Sequence, residues 1–140
     1  MLIVVAAVAL LDRDGRMLTV RKRGTTAFMN PGGKLEHGET PAAAAVRELQ
    51  EELGVALDAE TLVPLGTWTA PAANEPGATV RAYAFRADLP AGAAPRAAAE
   101  IDEIRWVAPG DLAAGTFAAG EHTGEYAPLM TRHFVPALLG

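Results

Sequence analysis

Residues 40–54 read Thr-Pro-Ala-Ala-Ala-Ala-Val-Arg-Glu-Leu-Gln-Glu-Glu-Leu-Gly, a helix whose two ends are written into the chain. Thr40 can accept from a free amide of the first turn, Pro41 stands where its missing N–H costs nothing, and Gly54 supplies a C-terminal stop. Nearly every residue between them is a good helix former. A helix over Pro41–Leu53 is therefore predicted, and it fixes which side chains share a face. At roughly 100° per residue, Glu48, Glu51 and Glu52 fall within an arc of about 100°, while Ala42, Val46, Leu49 and Leu53 gather on the other side. One face is expected to pack and the other to bind. Three carboxylates this close repel one another unless a cation joins them, although the helix alone leaves a solvated acidic face equally open.

The approach to the helix favours the cation. Residues 28–39, Phe-Met-Asn-Pro-Gly-Gly-Lys-Leu-Glu-His-Gly-Glu, form a loop rich in glycine with two further acids. Glycine lets the backbone come close to a ligand, and a backbone carbonyl near Gly33 could join Glu48, Glu51 and Glu52 as a hard oxygen donor. With oxygen ligands only, Mg²⁺ or Mn²⁺ is the natural occupant, its shell completed by phosphate oxygens of a substrate.

Residues 33–55 resemble the Nudix box, G-x5-E-x7-R-E-U-x-E-E-x-G-U, in which U is a bulky aliphatic residue. Gly33, Glu39, Arg47, Glu48, Leu49, Glu51, Glu52, Gly54 and Val55 fill every fixed position. The flanking strand pattern and the length of the chain are also similar to those of the small, MutT-like members. The resemblance implies hydrolysis of a diphosphate linkage in a nucleoside diphosphate joined to another group X. It implies that Glu48 and Glu52 ligate the metal directly, that Glu51 shares a second ion or a bound water, and that Arg47 holds the box carboxylates by charge-assisted hydrogen bonds. Glu39 falls at a position that is often structural.

The chemistry suits these parts. A diphosphate repels hydroxide by its own charge, so a catalyst must neutralise that charge and lower the pKa of a water. A base must then take the proton, and the box does not fix which glutamate does so. Outside the box the candidates are Glu100 and Glu103, expected in an acidic loop just before a strand at 104–107, with Glu100 preferred. Arg23, which closes the run Arg21-Lys22-Arg23 at a strand end, is the choice for a phosphate contact, with a solvated strand end the alternative. Phe28, Trp68, Tyr83 and Trp106 could stack on a base, though each is more often a core residue. Asn30, polar where a box-containing protein commonly carries an apolar residue, either reads a base edge or makes a structural hydrogen bond. His133 is expected to be a satisfied packing residue, and His122 lies in a Gly-rich loop that could close over a substrate.

At 140 residues with 50% hydrophobic and 21% charged side chains, the chain is expected to be one domain with a real core. Cysteine is absent, which excludes thiolate chemistry and makes a cytoplasmic location the default. The net charge of −5 offers no basic patch for polymeric nucleic acid, so a small nucleotide is the expected partner. No membrane span is expected, and the apolar opening at 2–11 lacks the preceding basic residue of a leader. A homodimer is admissible, since nothing in the chain fixes its oligomeric state.

Elsewhere the pattern predicts a strand at 3–11 paired with one at 16–23, strands at 62–70 and Thr79–Asp88, and a mobile loop at 90–99. A short helix from Asp111 and a last helix at 126–135, ended or kinked by Pro136, complete it. Strands on both sides of one long helix suggest an α/β/α sandwich with a mixed sheet, which the resemblance also implies.

Overall fold

The computed structural model describes residues 1–115 and 125–140, so His122 lies outside the described residues. Strand β1 (Leu2–Leu11) is apolar along its whole length, as a strand covered on both faces should be. It pairs in parallel with β5 (Thr79–Asp88), from Leu2↔Thr79 to Leu11↔Asp88, and β5 pairs antiparallel with β4 (Val63–Pro71). On the other side follow β2 (Met17–Lys22) and β6 (Ile101–Val107), giving the order β4-β5-β1-β2-β6 with the short β3 (Gly32–Lys34) also on β1. The described residues thus form a mixed six-stranded sheet.

Alternation along β1 builds two cores. Ala6, Val8 and Leu10 meet Leu18, Val20 and Phe85 beneath helix α1 (Pro41–Leu53), which contributes Ala44, Ala45, Leu49 and Leu53. Ala7 and Ala9 turn to the opposite face, where Ala82, Ala84, Met130 and Phe134 pack. Helices on both faces of a mixed sheet make the expected α/β sandwich. The ends of α1 are as predicted: Thr40 Oγ1 accepts from the Ala43 N–H at 3.1 Å, and Gly54 takes φ 67° with its N–H bonded to the Gln50 carbonyl. Its packed face is wider than the apolar pattern implied, because Ala44 and Ala45 reach the sheet and Glu52 is buried beside Leu49 and Leu53. Leu49 and Leu53 are fully buried, and each contributes roughly 2 kcal/mol by leaving water.

Four expectations are corrected. Strand β2 touches β1 only at Leu11↔Met17 and finds its main partner in β6. The reason is a wedge: Pro31 O accepts from the Val8 N–H, Met29 exchanges two backbone hydrogen bonds with Val20, and β3 occupies Val5 to Ala7 of β1. Strand β6 begins at Ile101 rather than 104, since Lys22↔Ile101 and Arg21↔Glu103 extend the ladder, so Glu103 lies in the strand and not in a loop before it. Arg21 bonds Glu103 at 3.2 Å, a cross-strand pair that makes an acidic run strand-compatible. The stretch 90–99 is tethered, with the Arg96 N–H on the Leu53 carbonyl and the Ala98 N–H on the Glu52 carbonyl. These donors satisfy carbonyls that the end of α1 leaves free.

The last correction concerns Pro136, which does not end the helix. After α2 (Pro109–Ala114), the described C-terminal residues pass through a π-type turn, Met130–Phe134, directly into α3 (Val135–Leu139). The Val135 N–H reaches back to the Met130 carbonyl, and Pro136 falls in the first turn of α3, where a missing donor is harmless. Among the described residues no helix is long and apolar enough to cross a membrane.

Candidate active site

Helix α1 and strand β3 meet through glycine. A Cβ on Gly32 would lie 2.0 Å from the Ala6 carbonyl oxygen, and one on Gly33 would lie 2.5 Å from the carboxyl carbon of Glu48. Only glycine lets the Glu48 carboxylate rest against this backbone. The Gly32 N–H donates to Glu52 Oε1 at 3.0 Å, while Glu52 Oε2 is buried with no hydrogen-bond partner and the residue is 1% exposed. Burial pushes the Glu52 carboxyl up to about 8, against the smaller opposing effects of the Gly32 N–H and the Lys22 charge. Burial also raises Glu48, opposed by the Arg47 guanidinium that donates to its Oε1 at 2.8 Å.

Arg47 anchors the surroundings. Its Nε and Nη2 donate to the two oxygens of Glu39 at 2.8 and 2.9 Å, and Nη2 also reaches the Lys34 carbonyl at 3.1 Å. This fork holds the Glu39 carboxyl down at about 2, and the backbone N–H of Glu36 adds to it. Fixed acceptors on both sides leave Arg47 one orientation. Gly33→Ala is expected to displace Glu48 and weaken divalent-cation binding about 10- to 100-fold, as loss of a supporting contact does elsewhere. Calorimetric titration with Mn²⁺ checks this; unchanged affinity would show that Glu48 does not depend on the glycine.

The three glutamates do not converge. Glu51 is half-exposed and makes only a 3.5 Å contact with Arg47, and among the described residues no three acidic or histidine side chains gather around a point as ligands. Without a cation the carboxylates repel, and Arg47 draws Glu48 aside. Glu48 and Glu52 nevertheless suit a hard cation: both donors are oxygens, one oxygen is buried without a partner, and a glycine leaves room for the second carboxylate. Magnesium in particular is held by one or two carboxylates, with water and phosphate supplying the rest.

Beside this pair opens a cavity of about 370 Å³, whose walls include Val5, Ala7, Gly33, Val80 and Met130. Lys22 and Asn74 also line it. Lys22 Nζ sits 3.7 Å from Glu100 Oε1, and the charges of Lys22 and Glu100 are both felt by Glu52, so Glu100 stands near the pair. Arg23 is exposed, and its Nη2 donates to the Ala99 carbonyl at 3.3 Å. Asn30 lines the cavity but donates to Val8 O at 3.4 Å and to Met17 Sδ at 3.2 Å, the structural hydrogen bond of the two expected roles, while its Oδ1 has no partner. Phe28 is buried in the second core with the Arg105 guanidinium 4.0 Å above its ring. Trp106 and Tyr83 pack against the first core and Trp68 against the second. His133 stacks on Trp68 at 5.4 Å and bonds the Thr69 carbonyl, a satisfied packing residue.

Two residues escaped the sequence reading. Lys22 lies two positions beyond Val20, whose side chain faces α1, and that period singles it out of Arg21-Lys22-Arg23. Asn74 is the single amide in the turn between β4 and β5; its Oδ1 accepts from the Ala27 N–H at 3.4 Å and its Nδ2 is buried without a partner.

Comparison with known proteins agrees with this geometry. The chain is 43% identical over 54 residues to an 8-oxo-dGTP diphosphatase of Escherichia coli K12, covering 35% of this chain and 42% of that protein. It is 30% identical over 99 residues to a MutT-like protein of Streptomyces ambofaciens, covering 71% of this chain and 59% of the relative. The matches thus span about half the length of these curated relatives. Among solved structures, a MutT Nudix hydrolase from Burkholderia pseudomallei superposes with a TM-score of 0.65 at 27% identity, covering 79% of this chain and 85% of that one. The NUDIX domain profile matches residues 1–130, and the chain belongs to the Nudix hydrolase family.

Proposed function

We propose that this domain is a divalent-cation-dependent pyrophosphohydrolase that cleaves the diphosphate linkage of a nucleoside diphosphate joined to a further group, with a nucleoside triphosphate, oxidised or not, as the first choice and an ADP-ribose-like nucleotide as the second. The observation that carries it is the pairing of Glu48 with a buried, half-unpartnered Glu52 at the glycine-lined end of a nucleotide-sized cavity. The E. coli relative, named for action on 8-oxo-dGTP, supports the triphosphate as first choice.

Glu48 and Glu52 would hold Mg²⁺ or Mn²⁺, with Gly33 leaving the space and Glu51 contributing through a water or a second ion. A bound divalent cation neutralises phosphate charge and lowers the pKa of a water. Arg47 keeps Glu48 oriented and is itself kept by Glu39. Glu100 accepts the proton of the attacking water, and Lys22 offsets charge on the phosphates. Val5, Ala7, Val80 and Met130 receive the base, and the free amide atoms of Asn30 and Asn74 meet its polar edge. Phe28, beneath Arg105, supports that wall rather than stacking on the base.

A panel of nucleoside triphosphates, ADP-ribose, nucleotide sugars and dinucleoside polyphosphates, each with Mg²⁺ and with Mn²⁺, tests the proposal. Release of a nucleoside monophosphate, lost with chelator, is the expected result. Nucleotide binding without turnover of any member would favour a non-catalytic sensor on the same fold.

A further inference from the structure

Arg23 was expected to contact phosphate, but its bonds run to the backbone that carries Glu100. Its N–H donates to the Glu100 carbonyl at 2.8 Å, and its Nη2 donates to the Ala99 carbonyl at 3.3 Å. The second of those carbonyls belongs to Ala99, whose φ of 52° is the only positive φ of a non-glycine residue among the described residues. A residue with a Cβ rarely adopts this left-handed conformation, and it persists only where its surroundings hold it. Here both flanks are held. The Ala98 N–H is bonded to the Glu52 carbonyl at 2.9 Å, and the Ile101 N–H returns to the Ala98 carbonyl at 2.9 Å.

The consequence is a rigid bracket. Its inner end is the backbone of Glu52, its strained corner is Ala99, and Arg23 at the end of β2 fastens the outer end. The Glu100 carboxylate, half-exposed and 3.7 Å from the Lys22 ammonium, has little else to fix it.

We infer that Arg23 is a positioning residue: through the Ala99 and Glu100 carbonyls it holds the left-handed corner that aims Glu100 at the Glu48–Glu52 pair. This rests on Glu100 as the base of the proposed reaction. A positioning role and a phosphate contact make opposite demands. A phosphate contact would act on substrate binding whether or not Glu100 can take a proton, whereas a positioning residue acts on turnover and only through Glu100.

A double-mutant cycle on the full chain, with the best substrate of the panel and saturating Mg²⁺, separates them. Arg23→Ala is expected to lower kcat about 10- to 100-fold, as a displaced catalytic group does, with KM within about twofold. In a Glu100→Gln background the same change should cost less than about twofold, because the group it positions is gone. Ala99→Val attacks the corner from within, since a β-branched side chain resists left-handed backbone, and should show the same loss of kcat and the same silence in the Glu100→Gln background. A rise in KM at unchanged kcat, or equal losses in both backgrounds, would overturn the inference while leaving Glu100 as the base. Wild-type turnover by Glu100→Gln would instead overturn the Glu100 assignment, and this inference with it.

Discussion

Glu52→Gln is expected to lower turnover about 10³-fold or more, the scale on which loss of transition-state charge stabilisation is felt, and at the same time to make the metal-free protein more stable at alkaline pH. The two effects share one cause. Glu52 is 1% exposed and one of its oxygens has no partner, so the fold carries an incompletely compensated carboxylate whenever it is ionised. Its pKa rises from an ordinary 4.5 to about 8 in the folded protein. The sign follows from linkage: between those values the unfolded chain has lost the proton and the folded one has kept it. Stability is therefore full below about pH 4.5 and falls as pH rises toward 8, by an amount on the order of a few kcal/mol. Glutamine keeps an oxygen for the Gly32 N–H and removes the charge. Thermal melts of the metal-free proteins at pH 5 and pH 9 check this. The variant should melt higher than wild type at pH 9, with a much smaller difference at pH 5. Parallel melting curves at both pH values would mean that Glu52 is ionised at no cost.

Glu100→Gln should be nearly as damaging to turnover and silent in the fold. Removing a general base costs about 10²- to 10⁴-fold in rate. The side chain is half-exposed and its ion pair with Lys22 is 3.7 Å long, a contact worth about 0–1 kcal/mol at a surface. Melting temperature should therefore hold, and affinity for Mn²⁺ should stay within about twofold, because the carboxylates that hold the cation are unchanged. Turnover close to wild type would move the proton acceptor elsewhere, with Glu51 the next group to test.

What could be read from the chain follows the range of the interactions involved. Helix α1 was legible because Thr40, Pro41 and Gly54 act within a turn of where they stand, and the spacing of Arg47, Glu48 and Glu52 depends on nothing else. The burial of Glu52 was not legible. It arises because the Gly32 N–H, twenty residues away, donates to one oxygen while the other is buried without a partner. The partner of β2 was hidden for a related reason: its ladder partner β6 follows some eighty positions later, and the Met29 to Pro31 wedge that parts β2 from β1 has no apolar periodicity to announce it. The stretch 90–99 looked loose because its composition is loop-like. Its order comes from two carbonyls at the end of α1 that no local rule assigns to it. Asn30 is legible as polar in an apolar place, but nothing in the chain says whether Val8 and Met17 or a ligand receives its amide.

In the proposed reaction Glu48 and Glu52 together hold the divalent cation on which hydrolysis depends. Titration of Mn²⁺ into the wild type, Glu48→Gln and Glu52→Gln, followed by the electron paramagnetic resonance of the free ion, tests it directly. Binding by the wild type is expected, with affinity reduced at least about 100-fold in each variant, more than the loss of a supporting contact costs. Equal Mn²⁺ affinity in all three proteins would contradict it.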